Sequence, residues 1–563
     1  MSEQFNNNFM MVDDMPIPIE GEKNLLEIIR KAGIELPTFC YYSELSVYGA
    51  CRMCMVENKW GSMEAACSTP PRAGMEIYTN TPKLRKYRKM ILELLLSNHC
   101  RDCTTCEKSG KCRLQELAAR FDIHKVRFEN TSAKHKTDDS TLCITRDASK
   151  CILCGDCVRV CNEVQHVGAI EFAHRGSKMT VSTAFDLPLA TSNCVGCGQC
   201  AAVCPTAAII VKNDAHRLWN ELNNKDNLVV AQIAPAVRTA VAESFNYKGE
   251  NVMGKIVACL RKIGIDKVFD TSTAADLTVL EEAKEFLERI EKNENIPLFT
   301  SCCPAWVKFC ENKYPELLPN VSTCRSPMQM FASIINEEYK DCGKRLVSVA
   351  IMPCTAKKAE AAREEFRTAD GKQMVDYVIT TQELIRMIRE AGIVFEDIEP
   401  EAIDMPYGTI SGAGVIFGVT GGVTEAVIRY VAEDKSASSL RAIALDGPRG
   451  LDGIKEFSLL AKDKVLKIAV VSGLSNADEI ISRIKNGEHF DLVEVMACPN
   501  GCINGAGQPV TSKDGKQKRS KELYNSDKLS VLKSSQDNPL MKEFYEGVLK
   551  GRVHELLHVH YAK

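Results

Sequence analysis

"CILCGDCVRVC", residues 151–161, places four cysteines at the spacing C-x2-C-x2-C-x3-C, and "CVGCGQCAAVCP", residues 194–205, repeats that spacing. This is the ligand run of paired four-iron clusters, in which the fourth cysteine of each run belongs to the other cluster. The repeat therefore predicts two clusters with crossed ligands: Cys151, Cys154, Cys157 and Cys204 for one, and Cys194, Cys197, Cys200 and Cys161 for the other.

Cysteine is the informative residue type in the composition. The chain has 563 residues, enough for several domains, and 26 of them are cysteines. The N-terminus lacks the basic and apolar regions of a secretory signal, and no apolar run approaches the roughly 18 residues of a membrane span. Thiols in a reducing compartment are more often metal ligands or catalytic groups than disulfides. We therefore expect a cytoplasmic protein without a membrane partner, and a net charge of -3 gives no sign of nucleic-acid binding.

A cysteine group near the N-terminus follows "NLLEIIRKAGIELP", which predicts a short helix. In this group a C-x2-C pair stands between two distant outer cysteines, although the first gap is longer than usual. The pattern resembles that of plant-type two-iron ferredoxins. The predicted ligands of a 2Fe-2S cluster are Cys40, Cys51, Cys54 and Cys67.

A second group lies in "HCRDCTTCEKSGKC", residues 99–112. Its spacing is similar to that of the four-iron site with one histidine ligand in hydrogenases and in the large subunit of respiratory NADH dehydrogenases. The ligands would be His99, Cys103, Cys106 and Cys112. Cys100 could take the place of His99, which would lower the reduction potential.

From about residue 214 the pattern changes to apolar runs rich in Val and Ile, separated by helical stretches. The apolar runs are "NLVVAQIAPAV", "RLVSVAIMPC", "KVLKIAVVSG" and "FDLVEVMACP". Alternation of this kind predicts an α/β region with buried parallel strands. Cysteines that follow such runs lie where open α/β sheets bind ligands.

Three loops of this region carry cysteines: "TSCCPAW" (300–306), "MPCTAKKAE" (352–360) and "EVMACPNGCINGAGQP" (494–509). They offer Cys303 or Cys302, together with Cys354, Cys498 and Cys502, which is enough for one more four-iron cluster. Behind four ferredoxin-like groups, these loops resemble the three signature loops of the iron-only (FeFe) hydrogenases. The resemblance covers essentially the whole chain, and the architecture is similar to the large monomeric clostridial type.

The resemblance implies a multidomain α/β and α+β fold. The expected domains are a plant-type ferredoxin-like domain (1–82), a His/Cys3 four-iron domain (83–126), a two-cluster ferredoxin domain (140–213) and an α/β catalytic domain (214–563). The implied cofactors are one 2Fe-2S cluster, three accessory 4Fe-4S clusters and the H-cluster, a 4Fe-4S cubane bridged to a di-iron site with CO, CN and azadithiolate.

The resemblance also assigns roles at the catalytic centre. The cubane ligands would be Cys303, Cys354, Cys498 and Cys502, with Cys502 as the bridge to the di-iron site. Cys302 would face the azadithiolate amine and pass protons to it, since a shuttle must stay free of metal to gain and lose its proton. Cys302 would otherwise be a small buried apolar residue. Residues expected around the di-iron site are Lys357, Met352, Met496, Ala234 and Pro235.

A proton route is implied on the helix predicted in "EEAKEFLER". Glu282, Glu285 and Arg289 share one helix face, which on spacing alone indicates a solvated surface. The resemblance instead implies a path with Arg289 and Glu282 outermost, followed by Ser322, then Glu285, then Cys302.

Some positions depart from the family pattern. Ala236 stands where a hydroxyl residue is expected, Ala356 where serine is frequent, and Ala506 within what is usually a triple glycine. Loss of a hydrogen bond near the cluster, worth on the order of 1 kcal/mol, predicts an altered redox poise. "HELLH", residues 554–558, matches the H-E-x-x-H pattern of zinc proteases, but its place near the end of the chain favours an amphipathic tail packed on the catalytic domain.

The sequence therefore predicts a hydrogenase that reversibly reduces protons with electrons from ferredoxin or flavodoxin. We expect it to be a monomer and to receive its di-iron site from maturation proteins. Two alternatives are a hydrogenase-like redox sensor or iron–sulfur assembly protein, and an electron-transfer subunit of an NADH dehydrogenase. The second alternative leaves the three later loops without a role.

Overall fold

The computed structural model describes residues 8–130, 136–248, 251–432, 447–461 and 464–561. The first part of the chain forms a five-stranded sheet whose order is β2-β1-β5-β3-β4. The strands are β1 Phe9–Val12, β2 Met15–Pro18, β3 Met55–Asn58, β4 Met63–Ala65 and β5 Glu76–Tyr78. The predicted helix is present as Leu25–Lys31, and Asn24 caps it by accepting a hydrogen bond from the backbone N–H of Glu27.

The helix Pro82–Ser97 leads from this sheet to the second cysteine group, which occupies a 3-10 turn (Cys103–Thr105) and the loop before the helix Arg113–Arg120. The two-cluster unit follows as two antiparallel ribbons. One pairs β6 Ile144–Arg146 with β9 Ile209–Val211, and the other pairs β7 Glu171–Ala173 with β8 Thr180–Ser182. Two short helices, Asp156–Arg159 and Gln199–Val203, begin within the two cysteine runs.

The remaining residues form two four-stranded sheets. In the first, all strands are parallel and the order is β11-β10-β13-β14, and in the second the order is β12-β17-β16-β15, with only β15 antiparallel. The strands are β10 Asn227–Ile233, β11 Lys267–Asp270, β12 Leu298–Phe299, β13 Arg345–Met352, β14 Tyr377–Thr380, β15 Ile454–Ala461, β16 Lys464–Ser472 and β17 Leu492–Met496. The four apolar runs fall on β10, β13, β16 and β17, which confirms the prediction of buried parallel strands.

Helices cover these sheets and bury their apolar faces against them. The longer ones are Ala215–Leu222, Val237–Ser244, Val252–Ile263, Ser272–Lys292, Pro304–Lys313, Pro327–Tyr339, Thr381–Glu390, Gly422–Val431, Leu474–Lys485, Lys513–Leu529 and Pro539–Glu546. Shorter helical turns are Ala356–Ala361, Gly412–Val415, Ile416–Gly418, Cys502–Asn504 and Val553–Leu557. Across the described ranges, every helix is too short or too polar to cross a bilayer.

The "HELLH" motif begins in the last of these turns and packs on the two four-stranded sheets and their helices. Leu556 and Leu557 are buried in the cluster around the helix Pro327–Tyr339. The backbone N–H of Arg325 donates to the carbonyl of Leu557 at 2.8 Å, and that of Val559 donates to Thr323 at 2.7 Å. These contacts confirm a packed tail.

Candidate active site

The carboxyl ends of strands from both sheets meet at one cavity. β10 and β13 of the first sheet, and β12 and β17 of the second, each run directly into a loop that lines it. The cavity has a volume of about 90 Å³. Its lining includes Ala234, Pro235, Ala236, Cys302, Cys303, Met352, Cys354, Lys357, Met496, Cys498 and Cys502. The three cysteine loops and the "QIAPAV" turn are therefore parts of one site.

The thiols of this cavity are not joined in disulfides. Cys354 and Cys498 are buried, Cys303 and Cys502 are partly buried, and burial raises the pKa of the Cys354 thiol to about 11. The backbone N–H of Ala497 points at the Cys303 sulfur at 3.4 Å. Four sulfur donors in one enclosed space, with an amide directed at one of them, match the donor set of an iron–sulfur cluster.

The adjacent cysteines of the first loop face different surroundings. Cys303 packs in the cluster that contains Cys354 and Val195, whereas Cys302 packs against Met496 and its apolar neighbours. Burial, and then the charge of Glu282, raise the pKa of the Cys302 thiol well above its usual value. Cys302 is thus held as a neutral thiol, directed away from the packing of its neighbour.

Lys357 brings a positive charge to the cavity wall. Its Nζ donates to the carbonyl of Cys302 at 3.2 Å and to Glu360 at 2.7 Å. Burial opposes that charge, but the Glu360 carboxylate outweighs it and raises the pKa of Lys357. Sequence reasoning missed Glu360, although its i,i+3 spacing from Lys357 is a recognisable helix pair. The pair orients a charge-assisted donor toward the cavity.

A row of polar side chains leads from the cavity to the surface along the helix Ser272–Lys292. Arg289 donates to Glu285 at 2.5 Å, and the Ser322 hydroxyl donates to the same carboxylate at 2.8 Å. Ser322 also lies near Glu282 and lowers its pKa, while burial and then the charge of Glu285 raise that pKa to about 8. Neither carboxylate oxygen of Glu282 has a hydrogen-bond partner among the described residues.

The order of these groups differs from the one predicted. Glu282 is 1% exposed and acts electrostatically on Cys302, whereas the side chain of Glu285 is 12% exposed and pairs with Arg289. The prediction that Glu282 is outermost and Glu285 adjoins Cys302 is therefore wrong. The helix runs outward from the core, so the residue that comes first in the chain is the inner one.

The cysteines of the two C-x2-C-x2-C-x3-C runs line two separate cavities, and each cavity contains the fourth cysteine of the other run. One is lined by Cys161 together with Cys194, Cys197 and Cys200. The other is lined by Cys204 together with Cys151, Cys154 and Cys157. The structure thus brings together the eight cysteines in the two sets that the spacing predicts.

The structure brings together parts of the two N-terminal cysteine groups. Cys40, Cys54 and Cys67 are buried, and the backbone N–H of Cys51 points at the Cys40 sulfur at 3.3 Å. Burial, and then the charges of Cys112, Cys106 and Cys100, raise the pKa of the Cys103 thiol, so these three cysteines lie near Cys103. His99 is 8% exposed, burial lowers its pKa, and its Nδ1 has no hydrogen-bond partner among the described residues. A buried neutral imidazole with a free nitrogen suits a metal ligand.

Contacts between the two-cluster unit and the cavity loops were not evident from the sequence. The Thr355 hydroxyl of the second loop donates to the carbonyl of Gly196 at 2.7 Å. Gln165 donates to the carbonyl of Ala497 at 2.9 Å, within the third loop. These bonds fix the two-cluster unit against the loops that carry the cavity thiols.

Comparisons with known proteins agree with this arrangement. The model "Iron only hydrogenase large subunit, C-terminal domain" matches residues 227–506, and "Iron hydrogenase small subunit" matches residues 513–563. A 2Fe-2S iron-sulfur cluster binding domain matches 9–82, the NADH-ubiquinone oxidoreductase-G iron-sulfur binding region matches 88–127, and a 4Fe-4S dicluster domain matches 150–208. The fold is therefore a multidomain mixed α/β fold that carries iron–sulfur domains beside a hydrogenase domain.

Relatives match along the whole chain. The NADP-reducing hydrogenase subunit HndD of Solidesulfovibrio fructosivorans is 40% identical over 98% of either chain. Iron hydrogenase 1 of Clostridium pasteurianum is 35% identical over 98% of this chain and 100% of its own. The structure of FeFe-hydrogenase HydA1 from Chlamydomonas reinhardtii has a TM-score of 0.53 and 35% identity, and it covers 62% of this chain and 99% of its own. By whole-length similarity and by its assembled cavity, the chain belongs to the iron-only (FeFe) hydrogenase family.

Proposed function

We propose that the chain catalyses the reversible reduction of protons to molecular hydrogen. The observation that carries this proposal is the cavity in which four ligating thiols, a fifth unpaired thiol and a buried lysine meet. A sensor or an assembly protein needs the cluster ligands but has no need of a proton route. The row from Arg289 to Glu282 therefore favours the enzyme over both alternatives.

The proposed catalytic centre uses the cysteines that line the cavity. Cys303, Cys354, Cys498 and Cys502 would hold the cubane, and Cys502 would bridge to the di-iron site. When bound, this cofactor supplies the metal centre at which protons and electrons combine. Lys357 would donate a hydrogen bond to one of its diatomic ligands, and the backbone of Ala234 and Pro235 would lie beside another. Met352 and Met496 would pack around it as soft, adaptable side chains.

The proposed electron relay has one 2Fe-2S cluster and three accessory 4Fe-4S clusters. Its ligands would be the eight cysteines of the crossed runs, together with Cys40, Cys51, Cys54, Cys67, His99, Cys103, Cys106 and Cys112. The proposed domains are those expected from the sequence, 1–82, 83–126, 140–213 and 214–563. Electrons would enter at the N-terminal clusters and reach the cavity through the unit that Thr355 contacts.

The proposed proton route runs from Arg289 and Glu285 through the Ser322 hydroxyl to Glu282 and then to Cys302. Glu285, Ser322, Glu282 and Cys302 can each gain a proton on one side and release it on the other, whereas Arg289 stays protonated and orients the Glu285 carboxylate. Glu282 is suited to this because burial brings its pKa to about 8, near the working pH of a proton relay. Its oxygens also have no competing hydrogen bond among the described residues.

The proposed electron partner is a ferredoxin or flavodoxin, and the proposed compartment is the cytoplasm, where cluster thiols stay reduced. We further propose a monomer whose di-iron site is supplied by maturation proteins. A second candidate partner is an NADP-linked subunit, because the relative HndD is named as a subunit of an NADP-reducing hydrogenase. Activity of the purified chain with reduced ferredoxin favours the first, and NADPH-dependent activity that appears only when an NADP-linked subunit is added favours the second.

The decisive experiment is hydrogen evolution from dithionite-reduced methyl viologen by anaerobically matured protein. Wild-type activity is expected, and Cys302→Ala should abolish it. Cys259→Ala is the matched control, since Cys259 is a fully buried free cysteine in the core of the first sheet. Activity that survives Cys302→Ala would refute the shuttle assignment. An inactive wild type whose di-iron carbonyl bands are present in the infrared would refute the enzyme and favour a sensor.

A further inference from the structure

Three potential metal ligands of different chemistry meet at the outer end of the proposed proton route. They are Glu285 on the long helix, Cys324 on the segment after Ser322, and His558 of the C-terminal tail. One ligand atom from each lies within 4.8 Å of the other two. The Cys324 sulfur is 3.7 Å from Oε2 of Glu285, the same oxygen that accepts the Ser322 hydrogen bond.

The tail holds these ligands in place. A β-bridge pairs Cys324 with His558, and Arg325 donates to the carbonyls of His558 and Glu555 at 3.0 and 2.9 Å. Cys324 is fully buried, and the side chain of His558 is 8% exposed. The ligand set is therefore fixed by backbone pairing and does not depend on mobile surface side chains.

The surroundings of His558 suit a ligand histidine. Nε2 lies 3.2 Å from the Glu281 carboxylate, and Nδ1 lies 2.9 Å from the Thr323 hydroxyl. When Nε2 donates its proton to Glu281, the Nδ1 lone pair accepts from the Thr323 hydroxyl, and a metal would take the place of that hydroxyl hydrogen. A carboxylate behind a histidine is the common arrangement that orients metal-bound imidazoles.

The donor set points to the class of cation. Thiolate, imidazole and carboxylate together are the ligands of Zn²⁺, which takes three protein ligands and leaves a fourth position to water. Hard cations such as Mg²⁺ prefer oxygen ligands alone and would not select a site with a sulfur donor. The partial exposure of Glu285 provides the side from which a cation can enter.

We propose that Glu285, Cys324 and His558 form an inhibitory zinc site that closes the proton route. On binding, the Cys324 thiol releases its proton to solvent and its sulfur ligates Zn²⁺, with no change of oxidation state. Oε2 of Glu285 turns to the metal, so the Ser322 hydroxyl loses its acceptor and the relay is interrupted at that step. The inhibitory consequence rests on the proposed function, whereas the binding site does not.

The test measures zinc binding and inhibition on the same cluster-loaded protein. Hydrogen-dependent reduction of methyl viologen is followed against ZnCl2 in thiol-free buffer, and zinc bound by the protein is examined by X-ray absorption. We expect ZnCl2 to inhibit the enzyme, EDTA to reverse the inhibition, and MgCl2 to have no such effect. The X-ray absorption of the bound zinc should show sulfur, nitrogen and oxygen ligands. The half-inhibitory zinc concentration should rise at least tenfold in Cys324→Ser and in His558→Gln, with activity in the absence of zinc retained.

Controls separate this site from other thiols. Cys342→Ser removes an exposed free cysteine that is not part of the three-ligand site and should leave the zinc response unchanged. The iron–sulfur absorbance should not change during the titration, which excludes displacement of iron.

Equal zinc sensitivity in wild type and both site variants would overturn the proposal, and so would X-ray absorption without a sulfur ligand. If neither site variant loads with clusters, the X-ray absorption of the wild type decides. Site-specific zinc binding without inhibition would leave the site standing and refute its placement on the proton route.

Discussion

Two adjacent glutamates of the long helix should respond to the same substitution in opposite ways. Burial, and then the charge of Glu285, raise the pKa of Glu282 to about 8. Burial acts in the same direction on Glu281, but hydrogen bonds from His558, Lys284 and Tyr545 outweigh it and lower that pKa to about 2. Glu281→Gln and Glu282→Gln therefore form a matched pair in which the helix and the side-chain shape are the same and only the neighbours differ.

The pKa values set the sign and the size of the stability effects. An unfolded glutamate titrates near 4.5, so Glu282 destabilises the fold progressively between pH 4.5 and about 8, by ~3 kcal/mol at pH 7. Glu281 instead contributes stability that is complete above pH 4.5 and lost as the pH falls toward 2, also ~3 kcal/mol at most. Removing the ionisable group should raise stability at position 282 and lower it at position 281.

Hydrogen-evolution activity should fall in the variant that gains stability and be retained in the variant that loses it. A glutamine amide cannot relay a proton, so Glu282→Gln should lose about 10²–10⁴-fold in hydrogen evolution, the usual worth of a positioned acid–base group. Glu281→Gln should retain activity because Glu281 lies outside the route. Anaerobic calorimetry at pH 7 should show the melting temperature rising by roughly 5 °C for Glu282→Gln and falling for Glu281→Gln. More than a tenth of wild-type activity in Glu282→Gln, or a lowered melting temperature, would refute the reasoning.

Three further changes probe the relay and the cavity. Thr355→Val leaves the Gly196 carbonyl without its donor, so we expect the free energy of unfolding to fall by about 1–3 kcal/mol. Reduction of the catalytic cluster, followed by rapid-freeze EPR, should also be slower, and unchanged kinetics would contradict this. His99→Cys should lower the reduction potential of one four-iron cluster in an EPR titration, because a thiolate adds negative charge, and an unmoved potential would exclude His99 as a ligand. Ala236→Ser restores a hydroxyl at the cavity wall and should alter the ratio of hydrogen oxidation to evolution in film voltammetry, whereas an equal ratio would remove Ala236 as a cause of altered poise.

Local spacing predicted whatever depends on neighbours in the chain. The crossed cysteine sets follow from C-x2-C-x2-C-x3-C, and apolar runs of Val and Ile predicted β10, β13, β16 and β17. Spacing could not order Glu282 and Glu285, because a helical period identifies a shared face but not which end of the helix lies in the core. The contact of Thr355 with Gly196 and the approach of His558 to Cys324 join residues more than 150 positions apart, and no local pattern encodes either.

The cysteine pair of the first loop separates the proton route from the electron route. Cys303 packs in a cluster with Cys197 and Cys354, the side from which the electron relay approaches. Cys302 packs on the opposite side, where Glu282 acts on it electrostatically. In extended backbone, adjacent side chains point to opposite faces, so two consecutive residues are the shortest device that can serve both sides of one cavity. Inserting a residue between the two cysteines would turn both toward one side and uncouple proton delivery from electron delivery, even with every ligand still present.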